Sequence, residues 1–390
     1  DQAEVLPFPP FLSDPICEPL GTPIPETCDV LTAKPVNSVT SRSLFGQFRY
    51  PLTDRLRAVG GLRYSYDRKK IAAYSATVPT GAAAPGGATN SDTRDWDKVT
   101  YRAGLEYDLT PKAMLYILQS TGYKSGTLLY DDRLMQFDGA DPQTLTQNTI
   151  GIKSRWFDNR LKANFELFDS SYDNYQVTIQ ADIVTGGCAG NISGGCVTGE
   201  GNVKTLTSRG FDVDLDYRLS ESDRISFSAG YLEAQFGDPG TLDQAYLDTL
   251  TTIPALQEAL QTYFNSYDGA TLQNSPKWTA NLTYEHSFNL GRNGQLNWRT
   301  HVLYKSDYYT NYMGGSTIND AVSVQPSYTT YDTYLTWAPL DQNYTVSAYI
   351  KNISNYPVMT NYSAAAPGQA AGTVDLDLPR TYGVTISARF

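Results

Sequence analysis

Between Arg209 and Ser220, Phe211, Val213, Leu215, Tyr217 and Leu219 alternate with Asp212, Asp214, Asp216 and Arg218. Successive strand residues point to opposite faces, whereas a helix would scatter this pattern round its circumference, so the segment is predicted to be a strand with one oily and one charged face. The same period recurs along the chain. Leu56, Ala58, Leu62, Tyr64 and Tyr66 oppose Arg57, Arg63 and Asp67, while Leu161, Ala163, Phe165 and Leu167 oppose Lys162, Asn164 and Glu166. The last residues repeat it, with Tyr382, Val384, Ile386, Ala388 and Phe390 against Gly383, Thr385, Ser387 and Arg389. Thirteen such segments are predicted, centred near residues 45, 61, 102, 117, 151, 166, 211, 229, 282, 301, 333, 348 and 385.

The connections alternate between short and long, an asymmetry that is itself a topology signal. Tight turns read at 51–54, 108–111, 157–160, 220–223, 291–294 and 339–342. Long connections read at 71–95, 125–142, 177–203, 237–273, 309–326 and 355–377. Within 237–273, LDQAYLDTLTTIPALQEALQTYFNSY predicts one or two short helices, with Pro254 near the start of the second. That stretch is acidic and lacks Lys and Arg, so it reads as a packed loop helix and not an amphipathic membrane anchor.

No run of 18 apolar residues occurs, so helical membrane spans are excluded and strands are the remaining way to cross a bilayer. Lys or Arg facing lipid near the midplane costs roughly 2–4 kcal/mol, so the charged face must line a lumen and the oily face must meet lipid. The fold class is therefore all-β, an antiparallel transmembrane β-barrel. Residues 1–37, rich in Pro, are expected to be an extracellular loop, and 38–390 the barrel wall. The odd strand count puts the first strand running inward from outside, as if the chain entered a barrel part-way round.

Composition fits this reading. Tyr is abundant at 29 and Gly at 31, against 5 Trp, 4 Met and 2 His. Tyr50, Tyr107, Tyr217, Phe288 and Trp337 beside the short turns are expected to form an interfacial girdle. A net charge of −11 with no basic patch excludes phosphate-backbone recognition, so no nucleic-acid partner is expected. Cys17 and Cys28 share one loop, and Cys188 and Cys196 share another; two short-range pairs in polar loops suggest disulfides in an oxidising compartment.

NYTVSAYIKNISNYP followed by LPRTYGVTISARF resembles the end of a TonB-dependent receptor. SLFGQFRYPLTDRLRAVGGLRYSYDRK resembles that family's mid-barrel hairpin, and NSPKWTANLTYE the strand that leaves a late extracellular loop. The resemblance implies an outer-membrane barrel of 22 strands, of which this chain would supply about the last 13. Tyr382, Val384, Ile386 and Phe390 would form the C-terminal assembly signal. It also implies an N-terminal plug and an energy-coupling segment served by the TonB system. Neither is in this sequence, and the missing strands would come from the same precursor or another chain. The implied function is active uptake of a scarce ligand such as a siderophore, vitamin or oligosaccharide. A passive porin and a structural half-barrel subunit are the alternatives.

No catalytic constellation stands out, and no enzyme activity, cofactor or metal is expected. His301 falls on the lumen parity, whereas His286 falls on the lipid side near a turn. The Asp212, Asp214 and Asp216 ladder is spaced at roughly 6–7 Å, wide for one calcium ion and better suited to a solvated lumen wall. Arg57, Arg63, Arg102, Glu106, Lys153, Arg155, Arg299, Lys305 and Lys351 share that inward parity. Tyr308, Tyr309, Tyr312 and Tyr362, at long-loop strand ends or loops, are the candidate ligand-contacting aromatics, with loop packing as the ordinary role.

Overall fold

Alternation becomes architecture in the computed structural model, which describes residues 29–79, 88–131, 136–182, 196–250, 254–310, 323–341, 343–363 and 373–388. Thirteen strands form one sheet: β1 (Asp29–Pro51), β2 (Leu56–Pro79), β3 (Ala88–Thr110), β4 (Ala113–Lys124), β5 (Gln143–Trp156), β6 (Leu161–Asp182), β7 (Cys196–Arg218), β8 (Asp223–Phe236), β9 (Trp278–Asn289), β10 (Gln295–Lys305), β11 (Tyr328–Ala338), β12 (Tyr344–Lys351) and β13 (Thr381–Ala388). Each strand pairs antiparallel with its sequence neighbours, and all thirteen sequence centres fall inside one of them. The sheet is open: among the described residues β1 and β13 do not pair with each other.

The short connections fall at 52–55, 111–112, 157–160, 219–222, 290–294 and 339–343, close to the turns expected from sequence. Phe157, Asp158 and Asn159 all take positive φ, with Arg160 N bonded to Phe157 O at 3.1 Å. Gly294, at φ 88°, closes another turn where a Cβ would run into the Ala338 carbonyl.

Several strands outrun the sequence-based boundaries. β1 begins at Asp29, ahead of the expected boundary at 38, and its register runs unbroken from Asp29↔Pro79 to Pro51↔Arg57. β2 and β3 carry the expected 71–95 loop deep into a hairpin, as β6 and β7 do for 177–203. At about 3.3 Å per residue a 23-residue strand is roughly 75 Å long, whereas about 9–11 residues cross a bilayer. The excess projects past the apolar band, held by hairpin hydrogen bonds and, in β6 and β7, by packing against the helices of the 237–273 connection.

The outward face stays oily to the last described strand, where Tyr382, Val384 and Ile386 are 80%, 68% and 71% exposed. The packed core lies elsewhere, at the long-loop end. Helices α1 (Gln244–Leu250) and α2 (Pro254–Asn265) sit in the 237–273 connection, with Pro254 as the first residue of α2, where its missing N–H costs nothing. Leu256, Leu260, Tyr263 and Phe264 form the buried stripe of α2 and pack on Val177, Ile179, Val203, Leu206, Phe236 and Tyr267. Tyr267 donates to Thr178 O at 3.1 Å, tying the cap to β6.

Candidate functional site

Register assigns every side chain of the wall to one face. Outward rows such as Leu105↔Ile117↔Ile150↔Leu167↔Phe211 are apolar, so the alternate positions point inward. That inward face carries the charges.

Near the short-turn end, Arg57 grips Asp108 through two bonds of 2.5 and 2.6 Å, and Arg49 and Arg57 share Glu106, at 2.7 and 3.2 Å. Further round, Arg224 pairs with Asp216 and approaches Glu285 at 3.8 Å, and Glu285 stands 3.8 Å from Arg299. Arg299 lies over the Tyr334 ring at 5.9 Å, Tyr334 neighbours Tyr349 at 6.4 Å, and Lys351 covers Tyr349 at 5.5 Å. The chain of contacts crosses β7 to β12 without a gap. Its links are partly exposed charge pairs, cation–π contacts and one ring–ring contact, each weak and readily exchanged for a bound partner's polar groups.

Mid-wall, a recess of about 510 Å³ is lined by Tyr116, Lys153, Glu166, Asp212, Asp214 and Asn281 among others. Tyr116 donates to Glu166 across the space over Gly151, and Lys153 sits 5.3 Å above the Tyr116 ring. The aspartate ladder is split by its surroundings. Asp216 has its arginine, whereas Asp212 lies opposite Glu166 and Gly230 in register. No three His, Cys, Asp or Glu converge to hold a metal among the described residues.

At the mouth, Lys305 faces Tyr308 at 5.8 Å and is register-paired with Tyr328, which stacks on Tyr356 at 5.8 Å. A short ribbon pairs Tyr308–Tyr309 with Val324–Gln325, and a second pairs Met359–Ser363 with Thr373–Leu376. Gln325 Oε1 accepts from Met359 N at 2.6 Å and so joins the two. Tyr308 therefore belongs to an aromatic and cationic patch whose other rings, Tyr328 and Tyr356, the sequence reading missed. Tyr328 was recoverable from its inward parity with Asp332. Tyr309 fixes a loop through its carbonyl, which accepts from Asn274 N at 2.7 Å, and Tyr362 lies in the second ribbon. Tyr312, Cys17, Cys28, Cys188 and Phe390 lie outside the described residues, and Cys196 is described only as the first backbone position of β7.

A knot of three segments lies further round the long-loop end. Asp138 accepts from Gly139 N at 2.6 Å and Glu200 N at 3.0 Å, and the Tyr246 hydroxyl of α1 bonds the Glu200 carbonyl and reaches Asp138 at 3.4 Å. Burial pushes the Glu200 carboxyl above its usual range, with nearby Asp138 adding to the effect, while Thr178 and Lys124 pull the other way. Burial beside those carboxylates also raises the Tyr246 phenol.

The histidines separate as their parity requires. His301 is register-paired with Asp332 on the inward face. His286, on the outward face, bonds Asp223 Oδ1 at 2.6 Å, as Tyr284 does, while Ser220 bonds Asp223 Oδ2 at 2.5 Å. Serine and histidine thus converge on one carboxylate, not on each other, and the arrangement activates no nucleophile.

Comparison with known proteins adds lineage to this geometry. The family model described as TonB dependent receptor-like, beta-barrel, matches residues 13–353. Among solved structures, the ferric yersiniabactin uptake receptor FyuA from Yersinia pestis aligns with a TM-score of 0.66 at 14% identity, covering 91% of this chain and 46% of that one. The siderophore receptor PiuA from Acinetobacter baumannii gives 0.61 at 19% identity over 90% and 43%. The copper transporter OprC gives 0.60 at 16% identity over 91% and 49%. The chain thus spans under half the length of these relatives, which share its fold.

Proposed function

Because this chain belongs to the TonB dependent receptor-like β-barrel family, we propose that it forms the C-terminal part of the wall of an outer-membrane transporter that takes up a scarce ligand in an energy-coupled step. The long loops then face outward, the short turns face the periplasm, and the lumen holds a plug drawn from the remainder of the protein. The observation that carries this reading is the unbroken inward chain from Asp216 to Lys351. A wall of exchangeable polar contacts suits a plug that must loosen, because an apolar interface would exclude water and resist partial release.

Siderophore receptors and a copper transporter share the fold, which favours a metal chelate over a vitamin or oligosaccharide as cargo. We assign ligand contact to Tyr308, Tyr309, Tyr312 and Tyr362 with Lys305, since aromatic faces and a cation bind a planar anionic chelate. Cys17 with Cys28, and Cys188 with Cys196, form disulfides that brace the outer loops. Phe390 and the outward Tyr382, Val384 and Ile386 guide barrel assembly.

The test is uptake of a panel of radiolabelled ferric siderophores by cells carrying the complete gene, with and without an uncoupler. Uptake abolished by the uncoupler supports the proposal; uptake that persists, with a large steady conductance in planar bilayers, supports a passive pore.

A further inference from the structure

On the outward face of the first hairpin the oily band ends at a group of cations. Leu105, which faces lipid, is register-paired with Ala58, and Ala58 with Tyr50, so the even-numbered residues of β1 and β2 point outward. No bulge interrupts either pairing, so the same parity carries to Arg42 on β1 and to Arg68 and Lys70 on β2. Arg63, on the same strand as Lys70, takes the opposite face.

Depth follows from residue counts, since about 9–11 residues cross a bilayer. Arg42 is eight positions beyond Tyr50 at the turn end of β1, and its register partner Tyr66 is ten beyond Leu56 at the turn end of β2. That pair therefore stands at the outer edge of the apolar band. Arg68 and Lys70 lie two and four residues further out, at the level of lipid headgroups. Below them Leu44 and Leu62 are exposed on the same face.

The three cations are exposed but not equally free. Arg68 donates to Asp95 at 2.7 and 3.0 Å and lies over the Tyr66 ring at 6.0 Å. Arg42 and Lys70 make no hydrogen bond or ion pair among the described residues. Asp97, opposite Tyr66 on β3, puts a further carboxylate on that side, so an anion is drawn towards β1 and β2. Lys70 is register-paired with Ser38, four residues from Arg42, which sets the two free cations roughly 13 Å apart along the strands. One phosphate reaches only one of them, whereas phosphates at the two ends of a disaccharide reach both. Cations above an oily wall complement an anionic headgroup that carries acyl chains.

Resting on the reading of this wall as membrane-spanning with its long loops outward, we propose that the outward face of the β1–β2 hairpin is a specific site for one outer-leaflet glycolipid with two headgroup phosphates. One phosphate meets Arg42 and the other Lys70, Arg68 stays with Asp95 between them, and acyl chains run down Leu44 and Leu62.

Native mass spectrometry of the complete protein in detergent micelles tests this, titrating bisphosphorylated and monophosphorylated lipid A separately. The expected result is one bisphosphorylated molecule retained over the monophosphorylated form by about fivefold, the ratio given by a single exposed charge contact. Arg42→Gln and Lys70→Gln should each lower retention of the bisphosphorylated form by about fivefold, and the two together by about twenty-fivefold, because the positions are far enough apart to act independently. Arg63→Gln, on the other face of β2, should change nothing. A chelator of divalent cations should change nothing either; retention lost on chelation would assign the lipid to metal-bridged carboxylates and overturn the site. Equal retention of the two lipids by the unsubstituted protein, or retention unmoved by the double substitution, also overturns it. Heat-modifiability on gels reports folding of each variant, and Lys70→Gln carries the test if Arg42→Gln fails to fold. A protein that stays monodisperse without detergent overturns the membrane reading; a folded, micelle-bound barrel without preference for the second phosphate overturns the site alone.

Discussion

The rings of Tyr172 and Tyr175 meet edge to face at 5.7 Å although the two residues are three apart in β6. In an unbroken strand, positions three apart point to opposite faces. Asn174 between them has φ 55° and turns the alternation over, so Tyr175, Val177 and Ile179 join the inward side that Tyr172 already occupies. Odd-numbered residues that face lipid at Leu161 to Leu167 thus become the floor of the helical cap, and Tyr175 packs against Phe236 at 5.5 Å. Asn tolerates the left-handed region and a β-branched residue does not. Asn174→Gly should leave the cap intact, whereas Asn174→Val should cost about 1–3 kcal/mol, seen as lost hydrogen-exchange protection across α2 with β1 to β4 unaffected.

The cap should unfold apart from the wall. Phe264 is 1% exposed and packs with Tyr267 in the only buried apolar cluster among the described residues. Phe264→Ala should destabilise the cap by about 3–5 kcal/mol. Limited proteolysis should then cut within 237–273 while the barrel keeps its heat-modifiable mobility; loss of both together would refute the separation.

Glu200 makes the cap pH-sensitive. Its carboxyl is raised above the ordinary 4.5, so the folded cap binds a proton more tightly than the unfolded chain does. The resulting stabilisation is fully present below 4.5 and fades as pH rises through the raised value. Cap protection measured by hydrogen exchange should be greater at pH 4 than at pH 7, and Glu200→Gln should flatten that dependence. A cap that tightens with rising pH would contradict it.

Gly383 on β13 leaves room for a ring from β12. A Cβ there would come 2.7 Å from Tyr349 Oη and 2.8 Å from Cζ. Gly383→Ala should therefore destabilise by about 1–3 kcal/mol, and much of that should vanish in a Tyr349→Ala background. Additive losses in the double-mutant cycle would show that the ring does not occupy the site.

The wall was legible because lipid and lumen impose opposite demands on adjacent residues, which writes a strict period of two into stretches such as Phe211 to Leu219. The short turns and α2 were legible for local reasons, turn chemistry in one case and Pro254 in the other. Beyond the apolar band that demand ends. Residues 29–37 and 71–79 pair with one another in the first hairpin, but nothing in their Thr, Ala and Ser content alternates, so they read as loops. The cap's seat was hidden because Val177, Ile179 and Val203 fall in a stretch that read as a long connection, and the reversal at Asn174 breaks the alternation that would have marked it as strand. Tyr328 and Tyr356 were missed because their stacking joins residues 28 positions apart through β12.

The central claim, that these thirteen strands are a section of a larger barrel, is tested most directly by cysteine cross-linking in the complete, membrane-inserted protein. Leu44→Cys with Tyr64→Cys, a register pair of β1 and β2, should form a disulfide readily. Leu44→Cys with Val384→Cys, which faces outward on β13, should form none if strands from the remainder of the protein stand between the two edges, which are unpaired with each other among the described residues. An efficient bond between positions 44 and 384, found by mass spectrometry in the intact protein, would show a closed thirteen-stranded ring and contradict the claim.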